Sequence, residues 1–127
     1  MNRQQMQFFI IDDDPSFGRT LKRSLDRHGH AAYYFGSAQS FIDSVPSGQK
    51  GIAIVDIHMP ENDGLSLMRL MRDLNYRMPV ILITGHAQAD TRELALQRGA
   101  IGFLQKPFNG RSLLDLIESA ERKTKRK

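Results

Sequence analysis

Five short apolar runs, each about as long as a β-strand, alternate along the chain with polar turns and segments of helical periodicity. The runs are residues 7–12 (QFFIID), 31–35 (AAYYF), 51–56 (GIAIVD), 79–84 (PVILIT) and 102–105 (GFLQ). The third and fourth runs are apolar throughout instead of alternating, which is typical of parallel strands covered on both faces. The pattern therefore predicts five parallel strands.

A segment with residues at helical spacing follows each apolar run. The five helix faces are Phe17, Leu21 and Leu25; Phe41, Ile42 and Val45; Leu67, Met68 and Met71; Leu94, Ala95 and Arg98; and Leu113, Leu114, Ile117 and Ala120. The fourth segment is the shortest and most polar. Regular alternation of strands and helices predicts an α/β fold, a (βα)5 doubly wound five-stranded parallel sheet.

Length and composition indicate a single domain. A chain of 127 residues is the usual size of one domain, and we assign residues 1–121 to it and residues 122–127 to a basic tail or linker stub. The absence of cysteine excludes disulfides, thiolate metal sites and a cysteine nucleophile. The start "MNRQQMQ" is too polar for a secretion signal, and no apolar run approaches the roughly 20 residues of a membrane span. We therefore expect a cytoplasmic protein that does not contact a membrane.

The net charge of +4 lies at the C-terminal end of the chain. Residues 1–120 contain as many Lys and Arg as Asp and Glu, so the segment "ERKTKRK" at 121–127 carries the whole excess. A neutral body lacks the basic surface that DNA binding requires. We expect no direct nucleic-acid binding by the body and interpret the tail as a solvated helix end or linker. A short basic arm that touches nucleic acid or acidic lipid is the alternative.

Polar side chains stand at the ends of four of the apolar runs. Asp12 and Asp13 end the first run, Asp56 ends the third, Thr84 ends the fourth, and Lys106 follows the fifth. The carboxyl ends of parallel strands share one edge of a sheet, which is where ligands of open α/β sheets bind. The sequence thus predicts that three carboxylates, one hydroxyl and one ammonium converge.

A local role explains the third aspartate of "DDDPS". Asp14 precedes Pro15, and an Asp cap followed by Pro at the first helical position is a helix-start signal. The other carboxylates repel one another, by about 1 kcal/mol per pair at 4 Å in water and about 4 kcal/mol near a protein surface. Mg²⁺ suits such an oxygen-rich site, and with Lys106 it would balance the charge. An arriving phosphoryl group would meet a metal, an ammonium and a hydroxyl.

These signals, in this order and spacing, resemble the receiver domains of two-component response regulators. The resemblance rests on the acidic pair, the run "DIHMP" from Asp56, the hydroxyl of Thr84 and the "KP" at Lys106, and it covers essentially residues 6–121. It implies a flavodoxin-like receiver fold with strand order 2-1-3-4-5. It further implies a phosphoacceptor that assists its own Mg²⁺-dependent phosphorylation and dephosphorylation and is not a dedicated enzyme.

The resemblance implies a metal site and a phosphorylation site. Asp56 would accept the phosphoryl group from a sensor histidine kinase or a small phosphodonor. Asp13, Asp56 and the backbone carbonyl of His58 would bind Mg²⁺ directly, and Asp12 would bind it through a water. Lys106 would pair with the carboxylate and later with the phosphoryl group, in front of a cis bond to Pro107.

A switch and an output surface are also implied. Thr84 would hydrogen-bond the phosphoryl group and Phe103 would turn inward, which would change the face of the fourth helix, fifth strand and fifth helix. That face would contact an output domain, a partner protein or a second copy in a phosphorylation-linked homodimer. "ITGHA" and "KPFNGRSLLDLIESA" resemble receivers joined to helix-turn-helix transcription factors or to AAA+ activators more than receivers of the winged-helix type. A single-domain regulator that docks on a partner and a receiver from a longer protein are both open. His58 and His86 would tune dephosphorylation; two solvent-exposed loop histidines are the alternative.

Three other interpretations compete with this one. A haloacid-dehalogenase-like phosphohydrolase also begins with "D-x-D", here Asp12 and Asp14, but needs a later acidic pair where this chain has Gln105 and Lys106. A flavodoxin-like nucleotide carrier needs a hydroxyl- or glycine-rich phosphate loop where this chain has carboxylates. A pseudo-receiver that is never phosphorylated would serve only as an interaction module.

Overall fold

Strands and helices alternate along the whole of the described chain. The computed structural model describes residues 6–59 and 63–125, with side chains in the last helix described through residue 119. The elements are β1 (Gln7–Ile11), α1 (Pro15–Arg27), β2 (Ala31–Phe35), α2 (Ala38–Ser44), β3 (Ile52–Asp56), α3 (Gly64–Asp73), β4 (Val80–Thr84), α4 (Thr91–Gln97), β5 (Gly102–Gln105) and α5 (Gly110–Lys125). The predicted (βα)5 alternation is confirmed.

The five strands form one parallel sheet in the order β2-β1-β3-β4-β5. The central pair β1–β3 aligns Ile11 with Val55, and β4–β5 aligns Thr84 with Gln105. Every residue of β3 and β4 is buried, as their continuous apolar runs predict. This order and the burial confirm the predicted doubly wound fold, and they bring the ends of β1, β3 and β4 together at the middle of one edge.

Each face of the sheet carries its own apolar core. On one face α2, α3 and α4 cover the alternate strand residues Phe9, Ile11, Val55 and Leu82. On the other face α1 and α5 cover Phe8, Ile10, Ile54, Ile81 and Ile83. Successive strand side chains point to opposite faces, so both faces of a fully apolar strand are buried.

Helix α1 begins where the sequence predicts. The Asp14 carboxylate accepts hydrogen bonds from the backbone N–H groups of Ser16 (3.1 Å) and Phe17 (3.3 Å), and Pro15 is the first helical residue. The capping role predicted for Asp14 is confirmed. The predicted buried face also forms, with Leu21 and Leu25 buried and Phe17 half-buried.

The face predicted for α4 is only partly correct. Ala95 is buried, but Leu94 is 36% exposed and Arg98, which ends the helix, is exposed. A helix of seven residues makes barely two turns, so its apolar stripe is too short to fix which side chains face the sheet.

The last helix runs into the predicted tail. Leu113 and Ile117 are buried and Leu114 is half-buried, as predicted. The helical backbone continues to Lys125. The side chains of the predicted tail at 122–127 and of Ala120 lie outside the described residues, so the boundary at residue 121 stays a prediction.

Candidate functional site

Asp12 is fixed at the carboxyl end of β1 by bonds from several directions. Its backbone N–H donates to the carbonyl of Phe35 (3.1 Å), and its Oδ1 accepts from the N–H of Asp14 (2.9 Å). Its Oδ2 lies 2.7 Å from Nζ of Lys106, and the side chain is fully buried. This contact is an ion pair between a buried carboxylate oxygen and the Lys106 ammonium.

Asp56 lies at the end of the neighbouring strand and is 5% exposed. Its Oδ1 accepts from the N–H of His58 (3.0 Å), and its Oδ2 accepts from Nζ of Lys106 (3.2 Å). Helix α3 begins in close contact with the end of β3. A Cβ atom on Gly64 would lie only 2.7 Å from the carbonyl oxygen of Asp56. Only glycine permits so close an approach here.

Lys106 connects the two carboxylates across the sheet edge. Its backbone N–H donates to the carbonyl of Thr84 (2.8 Å) and its bond to Pro107 is cis, as the sequence analysis expects. Its side chain is 17% exposed, and Nζ lies 4.4 Å from the centroid of the Phe17 ring. The ammonium is therefore held between two carboxylates and an aromatic face.

The charges at this edge influence one another. Burial raises the pKa of Asp12 from 3.8 to about 6, against the lowering effect of Lys106. Burial also acts to lower the pKa of Lys106, but its contacts with Asp12 and Asp56 outweigh this and raise that pKa above its ordinary value. The ammonium therefore stays charged, and a second cation would favour the ionised form of Asp12.

The three carboxylates are arranged as metal ligands. Asp12, Asp13 and Asp56 each offer an oxygen, and these oxygens lie within 4.8 Å of one another. Asp13 is exposed, whereas Asp12 and Asp56 are buried. Three carboxylates, two of them buried and one exposed to solvent, fit a hard divalent cation that retains some of its water ligands.

Thr84 lies next to this carboxylate cluster and Phe103 lies further back. Thr84 is fully buried, and its Oγ1 accepts from the N–H of His86 (3.1 Å). Phe103 pairs with Leu82 in the register of β4 and β5 and is half-buried against the α2–α3–α4 core. Strand alternation puts Thr84 and Phe103 on the same face of the sheet.

The two histidines line one small cavity. His58 and His86 are both exposed, and they border a space of about 200 Å³ together with Leu65, Leu94 and Ala95. This cavity separates the loop after β3 from α4. The structure thus brings both exposed histidines to one cavity, His58 through its backbone bond to Asp56 and His86 through its backbone bond to Thr84.

The family model described as the response regulator receiver domain matches residues 8–118. The chain belongs to this family. The receiver domains of two-component response regulators are not a dedicated enzyme family. The phosphohydrolase and nucleotide-carrier interpretations are therefore not supported.

Curated relatives and solved structures agree with the family. The receiver is 35% identical over 114 residues to the transcriptional regulatory protein FixJ of Bradyrhizobium diazoefficiens, covering 90% of this chain and 56% of FixJ. It is 35% identical over 117 residues to the DNA-binding transcriptional regulator NtrC of Proteus hauseri, covering 92% of this chain and 25% of NtrC. The receiver therefore spans between a quarter and about half of the length of these relatives.

The crystal structure of FixJ-N superimposes with a TM-score of 0.82 at 31% identity, covering 94% of the receiver and 96% of that chain. A CheY-like receiver domain from Methanospirillum hungatei superimposes with a TM-score of 0.81 at 26% identity, covering 98% and 100%. In the described part of the receiver, no helix is long and apolar enough to cross a bilayer.

Sequence reasoning missed two aromatic residues of the site. Phe17 lies under the Lys106 ammonium, and the hydroxyl of Tyr34 donates to the backbone carbonyl of Asp12 (2.6 Å). Phe17 was predicted only as a core residue of α1. Tyr34 lies one residue before the end of the second apolar run, and no residue pattern marks it as a partner of Asp12.

Proposed function

We propose that this receiver accepts a phosphoryl group on Asp56 from a phosphohistidine of a sensor histidine kinase, or from a small phosphodonor. One observation carries the proposal. The nearly buried Asp56 carboxylate lies 3.2 Å from the Lys106 ammonium and within 4.8 Å, oxygen to oxygen, of two further carboxylates. The nucleophile Asp56, the Lys106 ammonium and the candidate metal site therefore lie next to one another.

The reaction is a group transfer between nitrogen and oxygen. A carboxylate oxygen of Asp56 forms a bond to phosphorus while the N–P bond of the phosphohistidine breaks. The electron pair of that bond remains on the imidazole nitrogen, which takes up a proton. Lys106, already positioned at Asp56, pairs with the oxygens of the transferred group, and the Thr84 hydroxyl donates a hydrogen bond to one of them.

A magnesium ion would be held by Asp13, Asp56 and the backbone carbonyl of His58, with Asp12 acting through a bound water. When bound, Mg²⁺ supplies charge neutralisation for the oxygens of the phosphoryl group. The acyl phosphate is hydrolysed by water at the same site, so the receiver assists both its own phosphorylation and its own dephosphorylation. His58 and His86 flank the path of that water.

The signal would leave through α4, β5 and α5. Thr84 moves toward the phosphoryl oxygens, and Phe103 occupies the space that it leaves. A shift between two such states requires a few kcal/mol of preference for one of them. The exposed Leu96 and Ile101 (42% and 38% exposed) give this face apolar surface for an output domain, a partner protein or a second copy of the receiver.

The setting of the receiver is proposed from its relatives. FixJ and NtrC are named as transcription regulators, and we infer that this receiver acts in transcription regulation in the cytoplasm. Residues 122–127 would begin a linker to an output domain, and the receiver body itself would not bind DNA.

The test is the intact mass of the protein after incubation with acetyl phosphate and Mg²⁺. Wild type should gain one phosphoryl group, and both Asp56→Asn and addition of a chelator should abolish the gain. Asp14→Asn is the matched control, because it removes the same charge from the same edge while Asn remains a good helix cap. If wild type gains no mass from acetyl phosphate or from a phosphorylated kinase, the proposal is wrong and the pseudo-receiver interpretation replaces it.

A second experiment tests the switch. Hydrogen exchange of α4 amides should change when wild type is phosphorylated. Phe103→Ala should take up the phosphoryl group normally but lose this change in α4. If Phe103→Ala loses both together, the assignment of Phe103 as the switch aromatic is wrong.

A further inference from the structure

Tyr34 reaches from the neighbouring strand to the acidic end of β1. Tyr34 pairs with Ile10 in the register of β1 and β2. Its hydroxyl donates a hydrogen bond of 2.6 Å to the backbone carbonyl of Asp12. The ring lies so close to α1 that a Cβ on Gly18 would be 2.3 Å from its Cε1 atom. Glycine at this position of α1 therefore leaves the space that the tyrosine ring occupies.

The carbonyl that Tyr34 holds belongs to the peptide unit joining Asp12 to Asp13. This unit is planar, so a bond to its oxygen also restrains the nitrogen and Cα of Asp13. Among the residues that the structure describes, the exposed Asp13 side chain has no hydrogen bond or ion pair of its own. Its direction is thus set by the backbone that carries it.

We propose that Tyr34 is a positioning residue of the metal site, which orients Asp13 toward Mg²⁺ through the Asp12–Asp13 peptide. The proposal rests on the proposed function, since it takes Asp13 as a direct metal ligand. Groups that orient the ligands of a metal commonly contribute about ten- to a hundredfold to metal affinity.

The hydroxyl is suited to this role at physiological pH. An ordinary phenol has a pKa of about 10, so it keeps its proton at this pH and remains a donor. Three negative side chains follow one another at this edge, and a neutral donor restrains the backbone between them without adding charge that competes with the metal.

Three tyrosine-to-phenylalanine variants test the proposal. Tyr34→Phe removes the hydroxyl and keeps the ring over Gly18. Tyr76→Phe is the matched control, because the Tyr76 hydroxyl also donates to a backbone carbonyl, that of Val45. Tyr33→Phe changes the adjacent, 45% exposed tyrosine, which stacks on Phe9.

The measured quantity is the dissociation constant of Mg²⁺ alone, obtained from the Mg²⁺-dependent rise in unfolding temperature, because binding to the folded state stabilises it by a concentration-dependent amount. We expect Tyr34→Phe to raise this constant about tenfold. Tyr76→Phe and Tyr33→Phe should keep the wild-type constant, even where Tyr76→Phe lowers the metal-free stability as much as Tyr34→Phe does.

The outcomes separate this proposal from the proposed function. If wild type binds Mg²⁺ and Tyr34→Phe binds it equally well, the positioning role is wrong while the metal site stands. An equal loss of affinity in Tyr76→Phe also overturns the role, because general loosening would then explain the effect. If wild type does not bind Mg²⁺, the proposed metal site fails and the role of Tyr34 fails with it.

Discussion

Helices α1 and α4 both follow a strand that ends at the site, yet they are attached to the sheet very differently. Asp14 caps α1 with two backbone hydrogen bonds, and Gly18, Leu21 and Leu25 are buried beneath it. In α4 the Asp90 cap position makes no side-chain capping bond with the described residues, and Ala95 is the single buried residue of the seven.

This difference separates the carboxylate side of the site from the α4 side, through which we propose that the signal leaves. Helix α1 carries Phe17 against Lys106 and follows directly on the acidic pair. Helix α4 follows the loop after Thr84 and is anchored by little apolar surface. Elements with few buried contacts open and move most readily, so we expect the carboxylate side to be rigid and the α4 side to be adaptable.

The strongest test of this contrast removes one leucine from each helix. Leu25→Ala in α1, where the side chain is fully buried, should lower the free energy of unfolding by about 2–5 kcal/mol. Leu96→Ala in α4, where the side chain is 42% exposed, should change it by about 0.5 kcal/mol or less. Urea unfolding measures both, and similar losses would show that α4 is packed as firmly as α1.

The caps offer a smaller effect of the same kind. Asp14→Ala removes a carboxylate that accepts two backbone hydrogen bonds and should cost about 1 kcal/mol. Asp90→Ala removes a side chain that makes no capping bond within the described chain and should cost much less. Thermal unfolding of the two variants decides this, and a larger loss for Asp90→Ala would contradict it.

The carboxylate cluster itself should be under repulsion without a metal. Asp13→Asn removes one of three carboxylates whose oxygens lie within 4.8 Å, so it should raise the metal-free free energy of unfolding by up to about 1 kcal/mol. Added Mg²⁺ should then stabilise wild type but not Asp13→Asn. A variant that is destabilised without metal and still responds to Mg²⁺ would remove Asp13 from the ligand set.

The smallest effect concerns the cavity between the loop after β3 and α4. His58→Ala and His86→Ala widen this cavity and open the path of water to phosphorylated Asp56. We expect each to shorten the lifetime of the phosphorylated form about threefold, equivalent to about 0.6 kcal/mol. Decay is followed by intact mass, with His28→Ala on α1 as the control, and unchanged decay in both variants would rule out tuning by these side chains.

The sequence was sufficient for the sheet and for most of the polar residues at its edge. The continuous apolar runs of β3 and β4 are typical of strands covered on both faces, and the carboxyl ends of parallel strands share one edge of the sheet. This is why Asp12, Asp56, Thr84 and Lys106 were predicted to converge from segments far apart in the chain. The ion pairs of Lys106 with Asp12 and Asp56, and its backbone hydrogen bond to buried Thr84, agree with that convergence.

Contacts that depend on register between strands were not predictable in the same way. Tyr34 reaches Asp12 because β2 pairs with β1 at Ile10 and because Gly18 leaves space for the ring, and neither fact is visible from residue pattern alone. The face of α4 was predicted only in part, at Ala95, for a different reason. Its short stripe of apolar residues gives no strong preference, and packing against β5 decides its orientation.

Lys106 follows the last strand, and this has a consequence for biosynthesis. The ribosome releases Asp12 and Asp56 long before Lys106, so a nascent receiver has both carboxylates without the ammonium that joins them at 2.7 and 3.2 Å. Domains emerge from the N-terminus onward during translation. The complete ionic site therefore assembles only when translation of the domain is nearly finished.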